Sequence, residues 1–238
     1  MPNHIILKNR IKNFNKKITV SGDKSISIRW VLFSSIASGV SNASNLLMSE
    51  DVLTAINAIK KLGIKVSLNK NICKIYGKGI DGYNYKKNLS INSGNSGTLG
   101  RLILGLIINT PNSIKLIGDK SLSNRDFKRI SDPLSNFGAS FKLGKNKHLP
   151  LKIIGSSKLK PIKYLENRGS AQCKSAVMFA GMRTNGKTFI KAKKSRNHTE
   201  LLCKYLKLPI KIKKQKNYDL IEVNKIRKIN KINHKIPS

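Results

Sequence analysis

The stretch SGDKSISIRWVLF, residues 21–33, changes character halfway. Its first part is glycine, hydroxyl and charge; its second part is apolar without a break. A helix that is apolar nearly all round is a buried helix. The reading is therefore a central helix over about 24–38 whose polar start reaches the surface. The same change returns in SGNSGTLGRLILGLI, residues 93–107, and in RGSAQCKSAVMF, residues 168–179. One device used three times marks a repeat.

Working outward from each copy gives the same order of elements. In the first unit an extended segment at 17–20 precedes the helix, and a strand at 40–45 follows it. A second helix over 50–62 stops at Gly63, and strands at 64–68 and 72–76 close the unit. The second unit reads as a strand at 89–92, a helix at 96–108, a strand at 113–117, a helix at 126–137 that Pro133 can kink, and strands at 139–143 and 151–154. The third reads as a strand at 162–166, a helix at 170–183, a strand at 188–191, a helix at 198–206, and strands at 210–213 and 220–223. The stops KLGIKV, NFGASF and YLKLPIKI fall at matching places. This predicts an α/β (α+β) lobe of three β-α-β-α-β-β units, at about 17–80, 85–155 and 160–225, with three apolar helices at its centre.

The polar starts have a chemistry of their own. Glycine lets a backbone come close to a ligand. The unpaired N–H groups and dipole of a helix start favour phosphate or carboxylate. Lys24, Arg29, Arg101 and Lys174 add charge beside Ser25, Asn95, Thr98 and Ser170, and an arginine can grip an oxyanion through two parallel bonds. Plain capping explains any one such start; three equivalent ones point to a shared anionic ligand. Arg125 in GDKSLSNRDF and Ser195 in KSRNHTE are further candidates, although each also fits solvated surface or a helix cap.

Composition bounds the partners. The chain of 238 residues carries a net charge of +36, from 47 Lys and Arg against 11 Asp and Glu. Such an excess suggests an anionic partner. Yet the lysines are spread among Ile and Asn through nearly every segment, as AT-rich codon usage produces. A nucleic-acid face clusters its charge and interleaves stacking aromatics, whereas aromatics here are 6% and the nearest approach to a basic cluster is the tail at 211–235. Nucleic acid is therefore not expected. Cys73, Cys173 and Cys203 are odd in number and form no C-x-x-C pair, which argues against a disulfide framework or a zinc site and fits a reducing cytoplasm. Each reads as a small buried hydrophobe. The four histidines show no ligand spacing. No apolar stretch is long enough to span a membrane, and the N-terminus lacks a signal-peptide core.

These residues resemble the 5-enolpyruvylshikimate-3-phosphate synthase family. Five segments carry the resemblance in order along essentially the whole chain: SGDKSISIR, GNSGTLGRL, GDKSLSNRDFKRISDPLSNFGA, GSAQCKSAVMFAG and SRNHTE. The resemblance implies an inside-out α/β barrel lobe and transfer of the enolpyruvyl group of phosphoenolpyruvate to the 5-hydroxyl of shikimate 3-phosphate. It implies no cofactor and no metal. Lys24 would touch both substrates and move protons. Lys24, Ser25, Arg29, Ser170, Ala171, Gln172 and Ser195 would hold shikimate 3-phosphate. Lys24, Asn95, Gly97, Thr98, Arg101, Arg125 and Gln172 would face phosphoenolpyruvate.

The chain departs from the family pattern at Ile28, Gly100, Asp126 and Asn197, none of which removes a charged ligand group. Family chains are nearly twice as long and fold as two lobes that close on the substrates. The resemblance is thus to an N-terminal portion. Residues 1–20 would supply a strand to the second lobe through residues 5–8, residues 21–225 would form the substrate-binding lobe, and residues 226–238 would cross over. It implies a cytoplasmic protein, a monomer at full length, with little or no activity in this portion alone. Two other readings stay open: a related transferase acting on a UDP-sugar, which the D-K-S-x-S-x-R segment disfavours, and a basic nucleic-acid-binding protein, suggested by charge alone.

Overall fold

A computed structural model describes residues 20–69 and 72–238, together with residues 6, 8, 13, 15 and 18. The first unit contains α1 (Lys24–Ser35), β1 (Ser38–Ser44), α2 (Glu50–Lys61), β2 (Lys65–Asn69) and β3 (Ile72–Lys78). The second contains β4 (Ser90–Asn92), α3 (Gly97–Leu106), β5 (Ile114–Ile117), α4 (Lys120–Ser123), α5 (Lys128–Ser135), β6 (Ser140–Leu143) and β7 (Leu151–Ile154). The third contains β8 (Lys163–Glu166), α6 (Ala171–Arg183), β9 (Lys187–Lys193), α7 (His198–Tyr205), β10 (Ile210–Lys214) and β11 (Tyr218–Asn224), and β12 (Asn233–Lys235) follows.

The three apolar helices lie at the centre. Trp30 to Phe33 on α1, Leu102 to Leu104 on α3 and Ala176 to Phe179 on α6 are all fully buried. Burying each large apolar side chain contributes about 1.5–3 kcal/mol. Phe33 and Phe179 join α1 to α6 with ring centroids 4.8 Å apart. α3 and α6 pack closer still: a Cβ on Gly105 would stand 2.2 Å from the Ala176 carbonyl oxygen. That approach leaves room for hydrogen alone, so a glycine is required. Cys73, Cys173 and Cys203 are buried and unpaired.

Three four-stranded sheets surround these helices and share one plan. β4 runs parallel to β5, and β7 and β6 follow antiparallel. β8 runs parallel to β9, and β11 and β10 follow antiparallel. In the remaining sheet the order is β12-β1-β3-β2, with β12 parallel to β1. The leading position of the first unit is therefore filled from the far end of the chain.

Two expectations need revising here. The leading strand of unit one was expected at residues 17–20. Lys17 and Thr19 lie outside the described residues, and Ile18 and Val20 are exposed and in no strand. β12 holds the place because Ile226, Ile229, Ile232 and Ile236 are buried and pin this segment to the core. The backbone N–H of Ser38 donates to the Ile229 carbonyl at 2.8 Å and that of Asn42 to the Ile232 carbonyl at 3.0 Å. The expected strand at residues 5–8 also falls mostly outside the described residues.

The expected helix at 126–137 is α5, shorter at both ends, and a short helix the sequence reading did not give, α4, stands ahead of it. Asp119 caps α4 by accepting from the Leu122 N–H at 2.7 Å, and Asp126 accepts from the Lys128 N–H at 2.8 Å. Each carboxylate starts a new turn. Arg125 is left in the corner between them. Among the described residues no helix is long and apolar enough to cross a membrane.

Candidate functional site

Each central helix is capped in the same way. Asp23, Ser96 and Ser170 accept through their side chains from the third residue onward, at the N–H of Ile26, Leu99 and Cys173. Capping of this kind leaves the first amides unused. Among the described residues, the N–H groups of Lys24 and Ser25 on α1, Thr98 on α3, and Ala171 and Gln172 on α6 have no partner. These are residues that the sequence singled out.

The start of α6 ties the other two together. On one side Gln172 accepts from Arg101 Nη1 at 2.5 Å and donates to Thr98 Oγ1 at 3.1 Å, both on α3. On the other side Ser175 Oγ accepts from Arg29 Nη2 of α1 at 3.3 Å. Arg29 also donates through Nε to Thr199 Oγ1 at 2.6 Å and through Nη1 to the Ser25 carbonyl at 3.0 Å. The hydroxyls of Ser175 and Thr199 lie 2.7 Å apart, which draws in the start of α7.

Arg125 is exposed and donates to Asn95 Oδ1 at 3.3 Å, so it stands over the start of α3. A Cβ on Gly97 would come within 2.9 Å of Arg101 Nη1 and 3.0 Å of Arg125 Nη1, so Gly97 makes room for both guanidiniums. The loop carrying Ser195 passes beside Gly169, whose φ of +71° suits glycine. The Ser195 hydroxyl is shielded from water and has no partner among the described residues.

Two lysines behave differently. Lys24 turns to Asp51 on α2, at 2.7 Å, with its side chain about half exposed. Lys174, read from the sequence as an added charge for the ligand, is fully buried and lies 2.5 Å from Glu200. Its ammonium belongs to the core. Buried Arg183, at the far end of α6, is likewise paired, with Asp81 at 2.8 Å.

The arginines near the helix starts have no such partner. Among the described residues, Arg29, Arg101, Arg125 and Arg129 form no ion pair. Burial pulls the Arg29 guanidinium down to about 10, partly offset by the more distant Glu200. Arg101 is also lowered, by burial first and then by the neighbouring Arg129 cation. Its guanidinium lies 5.4 Å from the centre of the Phe127 ring. Such a set can take up phosphate or carboxylate oxygens, and an anion would relieve both penalties.

Sequence reading did not single out Arg129, Ser175 or Thr199. Ser175 and Thr199 lie inside quoted motifs. Arg129 follows Arg125 by four residues, and that spacing was the one available signal. Grooves of about 580 and 520 Å³ lie elsewhere, over the sheet of the third unit and beside α7.

Three sheets of one plan around buried helices, with the helix starts joined through α6, define an inside-out α/β lobe of the enolpyruvyl transferase kind. Residues 8–238 match the EPSP synthase (3-phosphoshikimate 1-carboxyvinyltransferase) family, and the chain belongs to it. The 3-phosphoshikimate 1-carboxyvinyltransferase of Streptococcus agalactiae is 45% identical over 185 residues, which is 77% of this chain and 43% of that protein. The protein of the same name from Caldicellulosiruptor bescii is 39% identical over 229 residues, 95% of this chain and 52% of that one. The solved EPSP synthase from Acinetobacter baumannii superposes with a TM-score of 0.86 at 32% identity, over 94% of this chain and 50% of that one. The chain thus spans about half the length of the curated relatives it matches.

Proposed function

We propose that this chain is the anion-binding half of an enolpyruvyl transferase, holding shikimate 3-phosphate and phosphoenolpyruvate for transfer of the enolpyruvyl group to the 5-hydroxyl and release of phosphate. One contrast carries the reading. Buried Lys174 and Arg183 have carboxylate partners, while buried Arg29 and Arg101 have only neutral ones beside unused helix-start amides. An unpaired buried charge is costly. A ligand that brings negative charge to this place accounts for it.

In this reading Ser25, Arg29, Ser170, Ala171, Gln172 and Ser195 hold shikimate 3-phosphate. Asn95, Gly97, Thr98, Arg101, Arg125 and Gln172 face phosphoenolpyruvate. Lys24 exchanges Asp51 for the substrates and serves as the proton carrier. The 5-hydroxyl attacks C2 of phosphoenolpyruvate as C3 takes a proton, and loss of phosphate then restores the double bond. The contribution of these residues is placement and charge. Lys24, Asn95 and Arg125 are open to water, so this half does not seal the reaction from solvent. It binds without turning over at a normal rate. A cytoplasmic protein, monomeric at full length, fits the same reading.

Calorimetric titration of the 238-residue chain with shikimate 3-phosphate tests the reading. Arg29→Ala and Gln172→Ala should each weaken binding about tenfold or more, the loss of a charge-assisted or neutral bond in a shielded site. Unchanged affinity in both variants overturns the site. Displacement by a UDP-sugar would favour the related transferase. Steeply salt-dependent RNA binding without any binding of shikimate 3-phosphate would favour the nucleic-acid reading.

A further inference from the structure

The Ser170 hydroxyl has two lone pairs to accept with and one proton to donate. Both lone pairs are taken. The Cys173 N–H donates to Oγ at 3.2 Å, as the helix cap, and Arg129 Nη2 of α5 donates to it at 3.0 Å. The proton is left over, and among the described residues Ser170 Oγ donates to nothing. The residue is also held in place. Its own N–H donates to Glu166 Oε2 at 2.7 Å, while the Arg168 N–H donates to Oε1 of the same buried carboxylate at 3.2 Å.

We propose that Arg129 is a positioning residue for the anion site: by filling the second lone pair of Ser170 it fixes that hydroxyl as a donor to the bound phosphate. Without Arg129 the hydroxyl is free to turn its proton toward the protein and its lone pair toward the ligand, where it repels a phosphate oxygen. Arg129 has no ion pair among the described residues to explain its place, and its Nε is buried without a partner. Its bond to Ser170 spans 41 residues of sequence and joins α5 to the cap of α6. The inference rests on the reading of the site as a binding place for shikimate 3-phosphate.

A double-mutant cycle on the 238-residue chain, with shikimate 3-phosphate as the probe, tests it. Arg129→Gln and Ser170→Ala should each weaken binding about tenfold, as loss of a hydrogen bond to a charged group does. The double variant should be hardly weaker than either single one, because both remove the same donor. Additive losses would mean that Arg129 acts directly or only as general support, and would overturn the proposal. Should Arg129→Gln fail to fold, Arg129→Lys takes its place in the same cycle, with coupling again the required result. Failure of the unmodified chain to bind would remove the parent reading and this one together. Weakened binding in Arg29→Ala with none in Arg129→Gln would remove this one alone.

Discussion

Gly97 has no side chain, and two guanidiniums occupy the space where one would be. In Gly97→Ala the new methyl meets the ends of two flexible side chains rather than backbone. The fold should therefore survive while Arg101 and Arg125 are displaced. The expected result is a thermal midpoint within a few degrees of the parent and about tenfold weaker binding of phosphoenolpyruvate in the presence of shikimate 3-phosphate. Equal losses for both ligands would show that the glycine does not serve the Arg101–Arg125 side in particular. Glu200 tests the opposite kind of residue. Glu200→Gln leaves fully buried Lys174 without its carboxylate. Stranding such a charge destabilises by about 3–5 kcal/mol, which urea unfolding should register. At this scale the sequence was readable where type and position coincide: glycine, serine and arginine at a helix start. It misled at Lys174, because a lysine beside a phosphate-binding motif looks the same whether its partner is a ligand or a glutamate 26 residues on.

Helices explain why this much could be read in advance. The sharp change from polar to apolar in α1, α3 and α6 marks both where each begins and that it is buried. The α4–α5 corner was harder. Phe127, Ile130 and Leu134 are buried and mark α5; α4 was missed because its four residues are too few to show a period and its start depends on Asp119 acting locally. Arg129 was missed for a related reason, since its partner belongs to a different unit. The contact between α3 and α6 yields a prediction of its own. Gly105→Ala would press a methyl against the Ala176 carbonyl oxygen, and backbone cannot swing aside. The two helices must separate, at about 1–3 kcal/mol by the measure of overpacked cores. The urea midpoint should fall accordingly, and affinity should fall with it, because the bonds from Gln172 to Thr98 and Arg101 cross the same contact.

Taken whole, the molecule carries far more positive charge than its candidate site holds, and most of its lysines are solvated. Its acid sensitivity has a narrower source. Burial lowers the imidazoles of His198 and His234, and for His198 the Arg29 cation adds to it. Both groups therefore hold protons less readily folded than unfolded. As pH falls through the ordinary value of 6.5, the unfolded chain binds more protons and stability declines. The urea midpoint should be lower at about pH 5.5 than at about pH 7.5, with the gap reduced in His198→Gln. An unchanged gap in that variant would place the effect elsewhere.

Asn42 pairs with Asn233 across 191 residues. The other two sheets draw their strands from continuous segments and can form while synthesis proceeds. The first sheet cannot. It waits for its leading strand until residues 233–235 have been made, and so do the contacts that lean on it: the Asp23 N–H donates to the Pro237 carbonyl at 2.7 Å, and Gly22 lies against Ile236. Closing so long a loop is entropically slow. The first helix start to be translated is thus the last to be locked, and the three helix starts come together in a late, single step of folding rather than unit by unit.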